Sequence, residues 1–251
     1  MALANLARAF PALSAAERRR IGLRSFQHFG VVFVELATTL ARPLERTLEV
    51  LSLEGLEHLH AVMATHGRAL VLTAHLGNWE LLAAAHRLAG YPLSIVVRPL
   101  DSAPLNTLAE RLRQRSGVEL IDKRGALRPV LRALADGRVV AILLDQNAAR
   151  RESVFVPFFG CPASTSKSLA VLAVRTRTPV VPIFTRRDGR RHRVTIHPPL
   201  APPETTDVGC AVVELTTRCT AAIETAIRQV PEQWLWAHNR WRTRPAAEAR
   251  P

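Results

Sequence analysis

From residue 68 onward, short apolar runs alternate with stretches of helical character, and this alternation restricts the fold more than any other feature. The runs are ALVLTA (69–74), LSIVV (93–97), VELI (118–121), VVAILL (139–144) and VVPIF (180–184). Between them lie helix-like stretches near 78–89, 103–115, 125–136 and 165–176. Apolar runs of strand length separated by helices predict an α/β fold, a mostly parallel sheet flanked by helices on its faces. HRVTIH (192–197) is expected to add an edge strand after the Asp188-Gly189 turn, and residues 208–229 to form a closing helix. The first fifty residues read as an N-terminal helical segment. Ser14 and Glu17 form a capping box, and Ile21, Leu23, Phe26, Phe29, Val32 and Phe33 recur near helical spacing until Pro43. Two readings of that helix stay open: a core-packing helix with a solvated charged face, or one lying on anionic lipid. With 251 residues the chain is long enough for one sizeable core. The expectation is one domain over 1–245, with 1–50 as its helical segment and 246–251 as a disordered tail.

Thirty-four Lys and Arg against twenty-one Asp and Glu leave a net charge of +13, nearly all of it from arginine. Such a surface favours partners bearing phosphates or carboxylates. Candidate basic clusters are Arg150/Arg151, Arg186/Arg187, Arg190/Arg191 and Arg240/Arg242/Arg244. Three cysteines without CxxC spacing argue against a disulfide framework or a zinc site. No run reaches the roughly 18 apolar residues of a spanning helix, and the N-terminus lacks the features of a signal peptide. Membrane contact is therefore expected to be peripheral.

The stretch VLTAHLGNWELLAAAH (71–86) carries the candidate chemistry. Ligands of open α/β sheets sit beyond the carboxyl ends of the strands, and His75 falls there. On one continuous helix His75 and Glu80 would point about 140° apart, so they can meet only across a turn. Gly77 supplies the backbone freedom for it, and Asn78 is the expected N-cap of the helix bearing Glu80. Composition alone yields about one such His-x4-acid pair, so position rather than spacing carries the weight. A histidine held by a carboxylate through one ring nitrogen keeps the other free as a general base. No G-x-S-x-G elbow occurs and the motif holds no Ser or Cys, so the hydroxyl to be deprotonated belongs to a substrate. Asp145, in DQN (145–147), is expected at the same edge of the sheet. VFVPFFG (154–160) reads as core, as an acyl-channel lining or as a lipid-dipping loop. PASTSKS (162–168), with Ser164 and Thr165, is expected to open the next helix as a phosphate-binding start.

AHLGNWE, RPLD (98–101), DQN, VFVPFFGCPAST and PEQWLWAHNRW resemble, in order and spacing, the bacterial late acyltransferases of lipid A biosynthesis, within the wider lysophospholipid acyltransferase group. The resemblance runs from NLARAFPALSAAERRR to RWRTRP, nearly the whole chain. It implies a glycerolipid-acyltransferase-like fold and transfer of a fatty acyl group from an acyl carrier protein thioester to a hydroxyl of a saccharide lipid, a lipid A precursor of lipopolysaccharide. By the same resemblance His75 is the general base and Glu80 its orienting partner. Arg98 lies near the reaction centre, and Asp145, Asn78, Ser164 and Thr165 belong to the substrate site. No metal or redox cofactor is implied, the acyl thioester being a co-substrate. Family members begin with an apolar anchor helix ahead of the segment like NLARAFPALS; here Met1 stands directly before it, so the expected location is peripheral, on the cytoplasmic face of the bacterial inner membrane. Acidic carrier, phosphorylated acceptor and anionic lipid would each meet the arginine-rich surface. The rival within this chemistry is a phosphatidylinositol mannoside acyltransferase using acyl-coenzyme A. The rival outside it, a basic nucleic-acid binder, lacks any recognition motif.

Overall fold

The computed structural model describes residues 1–99 and 102–245. The RPLD match therefore lies partly, and the expected tail 246–251 wholly, outside the described residues. Helices α1 (Ala2–Ala9), α2 (Ala15–Ala41) and α3 (Leu44–Leu48) precede β1 (Leu51–Glu54) and α4 (Leu56–His66). There follow β2 (Ala69–Thr73), a 3-10 turn at Trp79–Leu81, α5 (Leu82–Ala89), β3 (Leu93–Val97), α6 (Ala103–Arg115), β4 (Glu119–Asp122), α7 (Leu127–Ala135) and β5 (Val139–Leu143). The chain continues through β6 (Ser153–Phe158), β7 (Cys161–Ser166), α8 (Ser168–Thr176), β8 (Val180–Asp188), β9 (Arg191–Ile196) and α9 (Val208–Gln229).

Seven strands form one sheet in the order β1-β9-β8-β2-β5-β3-β4, parallel except for the β8–β9 pair. The expected parallel architecture is present. All five residues of β2 are buried, because helices cover both faces of a central parallel strand. Leu70 and Leu72 pack in the core that holds Leu169 and Leu215, while Ala69 and Val71 pack in a second core with Leu59 and Ala83. β9 is interior rather than an edge, since the short LSLE run of β1 pairs alongside it.

One expectation changes here. Ser164 and Thr165 do not open a helix: they lie in β7, which pairs antiparallel with β6, and α8 begins only at Ser168. The two-residue turn at Phe159 (φ 51) and Gly160 (φ 72) closes that hairpin, the positive-φ geometry that suits strand twist. An aromatic residue in this region is uncommon. Phe159 is held there by its amide bond to Glu224 Oε2 (2.5 Å) and by the rings of Phe10 and Phe158 at 5.2 and 4.8 Å. Phe158 and Phe159 are thus core residues, not a lipid-dipping tip. Trp234, Trp236 and Trp241 are buried beside them.

The N-terminal helix is turned relative to its apolar pattern. The capping box at Ser14 forms as expected, with Glu17 N to Ser14 Oγ at 3.2 Å and Ser14 N to Glu17 Oε2 at 2.7 Å. Yet α2 buries Ser25 and His28, while Leu23, Phe26, Phe33 and Val34 are each more than half exposed. Ser25 Oγ donates to Trp234 O at 2.8 Å, so the inner face of the helix meets polar backbone. The outer face is left apolar. No helix among the described residues is long and apolar enough to cross a membrane.

Candidate active site

β2 and β5 lie side by side and parallel, with Thr73 opposite Leu143. Two residues beyond that matched pair each strand delivers a functional side chain to the same edge, His75 from one and Asp145 from the other. Asp145 Oδ1 accepts from His75 Nδ1 at 2.8 Å, and Oδ2 accepts both the His75 amide at 2.9 Å and Trp234 Nε1 at 2.8 Å. With Nδ1 donating to Asp145, the proton-free nitrogen of a neutral ring is Nε2. Its one described polar contact is the exposed Gln146 amide, 3.4 Å away. The His75 side chain is 18% exposed and that of Asp145 is 2% exposed.

This arrangement corrects the expected His75/Glu80 pairing. Gly77 does make the anticipated turn (φ 60), donating to Gln233 O at 3.0 Å, but the turn carries Glu80 away from Nδ1. Arg113, from α6, clasps the Glu80 carboxylate through Nε (2.8 Å) and Nη2 (2.5 Å), and Trp79 Nε1 adds a bond at 3.1 Å. The adjacency of strands β2 and β5 decides the pairing, and no spacing within one motif reveals it. Asn78 precedes the 3-10 turn but caps nothing with its side chain; fully buried, it donates to Glu35 Oε2 at 3.0 Å. Arg98 is exposed just past β3, the neighbour of β5, at the same sheet edge.

Ser164 and Thr165 stand apart from any helix start. Both are fully buried, and Arg240 donates to Ser164 O at 2.8 Å and to Thr165 Oγ1 at 2.5 Å. Arg240 itself is completely buried and lies over the Phe158 ring, so it is no part of a surface cluster. Burial lowers its pKa to about 10, opposed by the charge of Asp145. Sequence reasoning also missed Trp234 and Gln146. DQN carried the signal for Gln146, since any residue just after a strand reaches the ligand edge.

Burial alone would pull the His75 pKa down, but the charge and hydrogen bond of Asp145, with a lesser contribution from Glu80, place it above the usual 6.5. Burial opposes the charge of Asp145; His75 and Trp234 outweigh it and hold the carboxyl near about 2. Apolar space adjoins the site. An apolar cavity beside Glu80 is lined by Phe33, Leu36 and Leu40 of α2 and by Leu108, Ala109 and Leu112 of α6.

The family described as bacterial lipid A biosynthesis acyltransferase matches residues 1–243. The chain belongs to that family. It is 29% identical to the lipid A biosynthesis lauroyltransferase of Escherichia coli strain K12, over 96% of this chain and 78% of that protein. It is 28% identical to the palmitoleoyltransferase of the same strain, over 98% and 79% of the two chains, and 24% identical to its myristoyltransferase, over 100% and 77%. Among solved structures, the 1-acyl-sn-glycerophosphate acyltransferase of Thermotoga maritima aligns with a TM-score of 0.44 and 16% identity, over 90% of this chain and 87% of that one. The chain is thus an O-acyltransferase of the lipid A class.

Two outcomes are expected from this geometry. A Cβ on Gly77 would stand 2.5 Å from Thr185 O, whereas one on Gly90, also at positive φ, meets open space. Gly77→Ala is therefore expected to lower unfolding free energy by about 3 kcal/mol or more, and Gly90→Ala by only about 1–2 kcal/mol, in denaturant titrations. The second concerns pH. If His75 works as a base, it must be neutral, so activity falls as pH drops through its raised pKa, giving an acid limb above 6.5. Asp145→Asn removes the charge that raises it and leaves burial, so the limb moves to lower pH while the plateau rate drops by about 10²-fold or more. An unmoved limb would separate Asp145 from the base.

Proposed function

We propose that this protein moves a fatty acyl group from an acyl carrier protein thioester to a hydroxyl of a saccharide lipid, a lipid A precursor, with His75 as general base and Asp145 as its orienting carboxylate. The observation that carries this reading is the His75 ring itself, held at Nδ1 by a buried carboxylate and offering Nε2 at the rim of the sheet. An acceptor hydroxyl arriving there displaces the long Gln146 contact and gives its proton to Nε2 as its oxygen attacks the thioester carbonyl carbon. When the tetrahedral oxyanion collapses, the C–S bond breaks and the leaving thiolate recovers that proton from Nε2. General-base catalysis of this kind is worth about 10²–10⁴ in rate.

Arg98, at the same edge, is suited to the oxyanion or to a phosphate of the acceptor, since its guanidinium offers a planar fork of donors. Glu80, clasped by Arg113, holds the wall of the apolar cavity in place, and that cavity is the seat we assign to the acyl chain. Asn5 Nδ2 bonds Trp236 O at 2.8 Å and His238 O at 2.7 Å, which supports reading 1–245 as one unit. The membrane reading, a peripheral site on the cytoplasmic face of the inner membrane, rests on α2. Its outer face exposes Leu23, Phe26, Phe33 and Val34 beside exposed Arg19, Arg20 and Arg24. An apolar stripe with a basic margin fits an anionic lipid surface. Arg18, in the first turn of α2, folds back instead onto the preceding turn, donating to Leu13 O at 2.6 Å.

The test is transfer of a labelled acyl chain to a lipid A precursor, followed by mass spectrometry of the product. His75→Ala is expected to lower turnover by about 10²–10⁴-fold with the fold intact, and Glu80→Gln to act more mildly, raising KM for the thioester before it lowers turnover. Faster transfer from coenzyme A than from carrier protein would reassign the donor. Vesicle binding is expected to need anionic lipid and to weaken about a hundredfold when Arg19, Arg20 and Arg24 are all replaced by Gln, at about 1 kcal/mol each. Equal binding to neutral vesicles would remove the electrostatic part of that reading.

A further inference from the structure

The His75 ring is restrained on two sides. Asp145 fixes one nitrogen and so the tautomer. The ring of Trp79 meets the imidazole edge to face, with centroids 4.9 Å apart, and so limits rotation of its plane. Trp79 follows Asn78, and the side chain of Asn78 donates to the carboxylate of Glu35 on α2 at 3.0 Å. Nearly two turns earlier on the same helix, Phe29 packs on Trp79 with centroids 5.9 Å apart. Helix α2 thus grips the segment behind the imidazole at two successive residues.

Glu35 is the acceptor on which this grip is built. Arg187 of β8 donates to it through both terminal nitrogens, Nη1 at 2.7 Å, and His192 Nε2 of β9 lies 3.2 Å away. Burial works against the Glu35 charge, but these partners and Asn78 lower its pKa to about 2. The same Arg187 exchanges backbone bonds with the Gln233 side chain, 2.7 Å from its amide and 3.1 Å from its carbonyl, while Gln233 O accepts from Gly77. Asn78, fully buried, offers its amide nitrogen to Glu35 while its Oδ1 lacks a partner among the described residues. Its placement therefore rests on one charge-assisted bond.

We propose that Glu35 is a positioning residue for acyl transfer, acting through Asn78 on the Trp79 ring that sets the plane of His75. This rests on His75 being the general base, and goes beyond it by assigning the geometry of that base to a helix remote in sequence. Misplacement of a catalytic group by about 1 Å costs on the order of 10²-fold in rate. Glu35→Gln takes away the charged acceptor. Asn78→Ala takes away only the tether, leaving Glu35 paired with Arg187 and His192 and α2 in place.

The experiment compares kcat, KM and pH profile of Asn78→Ala, Glu35→Gln, the exchanged pair Glu35→Gln with Asn78→Asp, and His75→Ala, each checked for folding by circular dichroism. Asn78→Ala is expected to lower kcat by about 10-fold to 100-fold with KM unchanged and the acid limb in place, because the His75–Asp145 pair is untouched. The exchanged pair restores a charge-assisted bond between positions 35 and 78 and is expected to recover most of the kcat lost in Glu35→Gln. Wild-type kcat in Asn78→Ala, or an exchanged pair no better than Glu35→Gln alone, would overturn the proposal. Should Glu35→Gln fail to fold, Asn78→Ala decides alone. Full activity in His75→Ala would instead overturn the assignment of the base, an outcome distinct from wild-type Asn78→Ala beside inactive His75→Ala.

Discussion

A single buried carboxylate joins three parts of this molecule that lie far apart in sequence. Asp145 accepts three donors, two from His75 and one from Trp234, and by doing so ties the end of β2 to the end of β5 and both to the C-terminal segment. A carboxylate deprived of water is costly unless every strong acceptor direction is used. Here the donors are a backbone amide, an imidazole and an indole, and the imidazole becomes the partner cation when it is protonated. The electrostatic pull of Asp145 is thus directed at the imidazole, where it favours the protonated ring.

The strands were legible in the sequence because central parallel strands are buried on both faces and read as unbroken apolar runs, as ALVLT and VVAIL do. The pairing at the site was not. His75 and Glu80 share one motif, but His75 and Asp145 share a register, and register depends on strand order, which no local pattern carries. Both residues were visible as strand-end groups; the adjacency of β2 and β5 made one of them the partner. The hairpin after DQN was missed for a different reason. Ser164, Thr165 and Ser166 look like caps for α8, while the alternation Val154, Val156, Phe158 that marks β6 is interrupted by Pro157 and followed by a turn at a phenylalanine.

The periodicity of helix α2 left two readings open and could not choose between them. Phe26 and Phe33 recur at helical spacing, as a core-facing stripe would, yet Ser25, His28 and Glu35 hold the inner side, where Ser25 meets Trp234 O and Glu35 meets the Asn78 side-chain amide. The arginines divide in the same way. Arg113, Arg187 and Arg240 serve internal carboxylates and carbonyls, so the total charge overstates the field that a partner meets at the surface.

The bond between Trp234 and Asp145 spans 89 residues, and that between Asn5 and Trp236 spans 231. A ribosome adds about 5–20 residues per second, so at least several seconds of synthesis separate Asp145 from the indole that completes its shell. Throughout that interval the indole that closes the shell of Asp145 is not yet made, and Asn5 lacks the carbonyls that it bonds. Translation therefore orders assembly: a chain stalled before Trp234 carries both His75 and Asp145 yet lacks the indole that bonds the carboxylate.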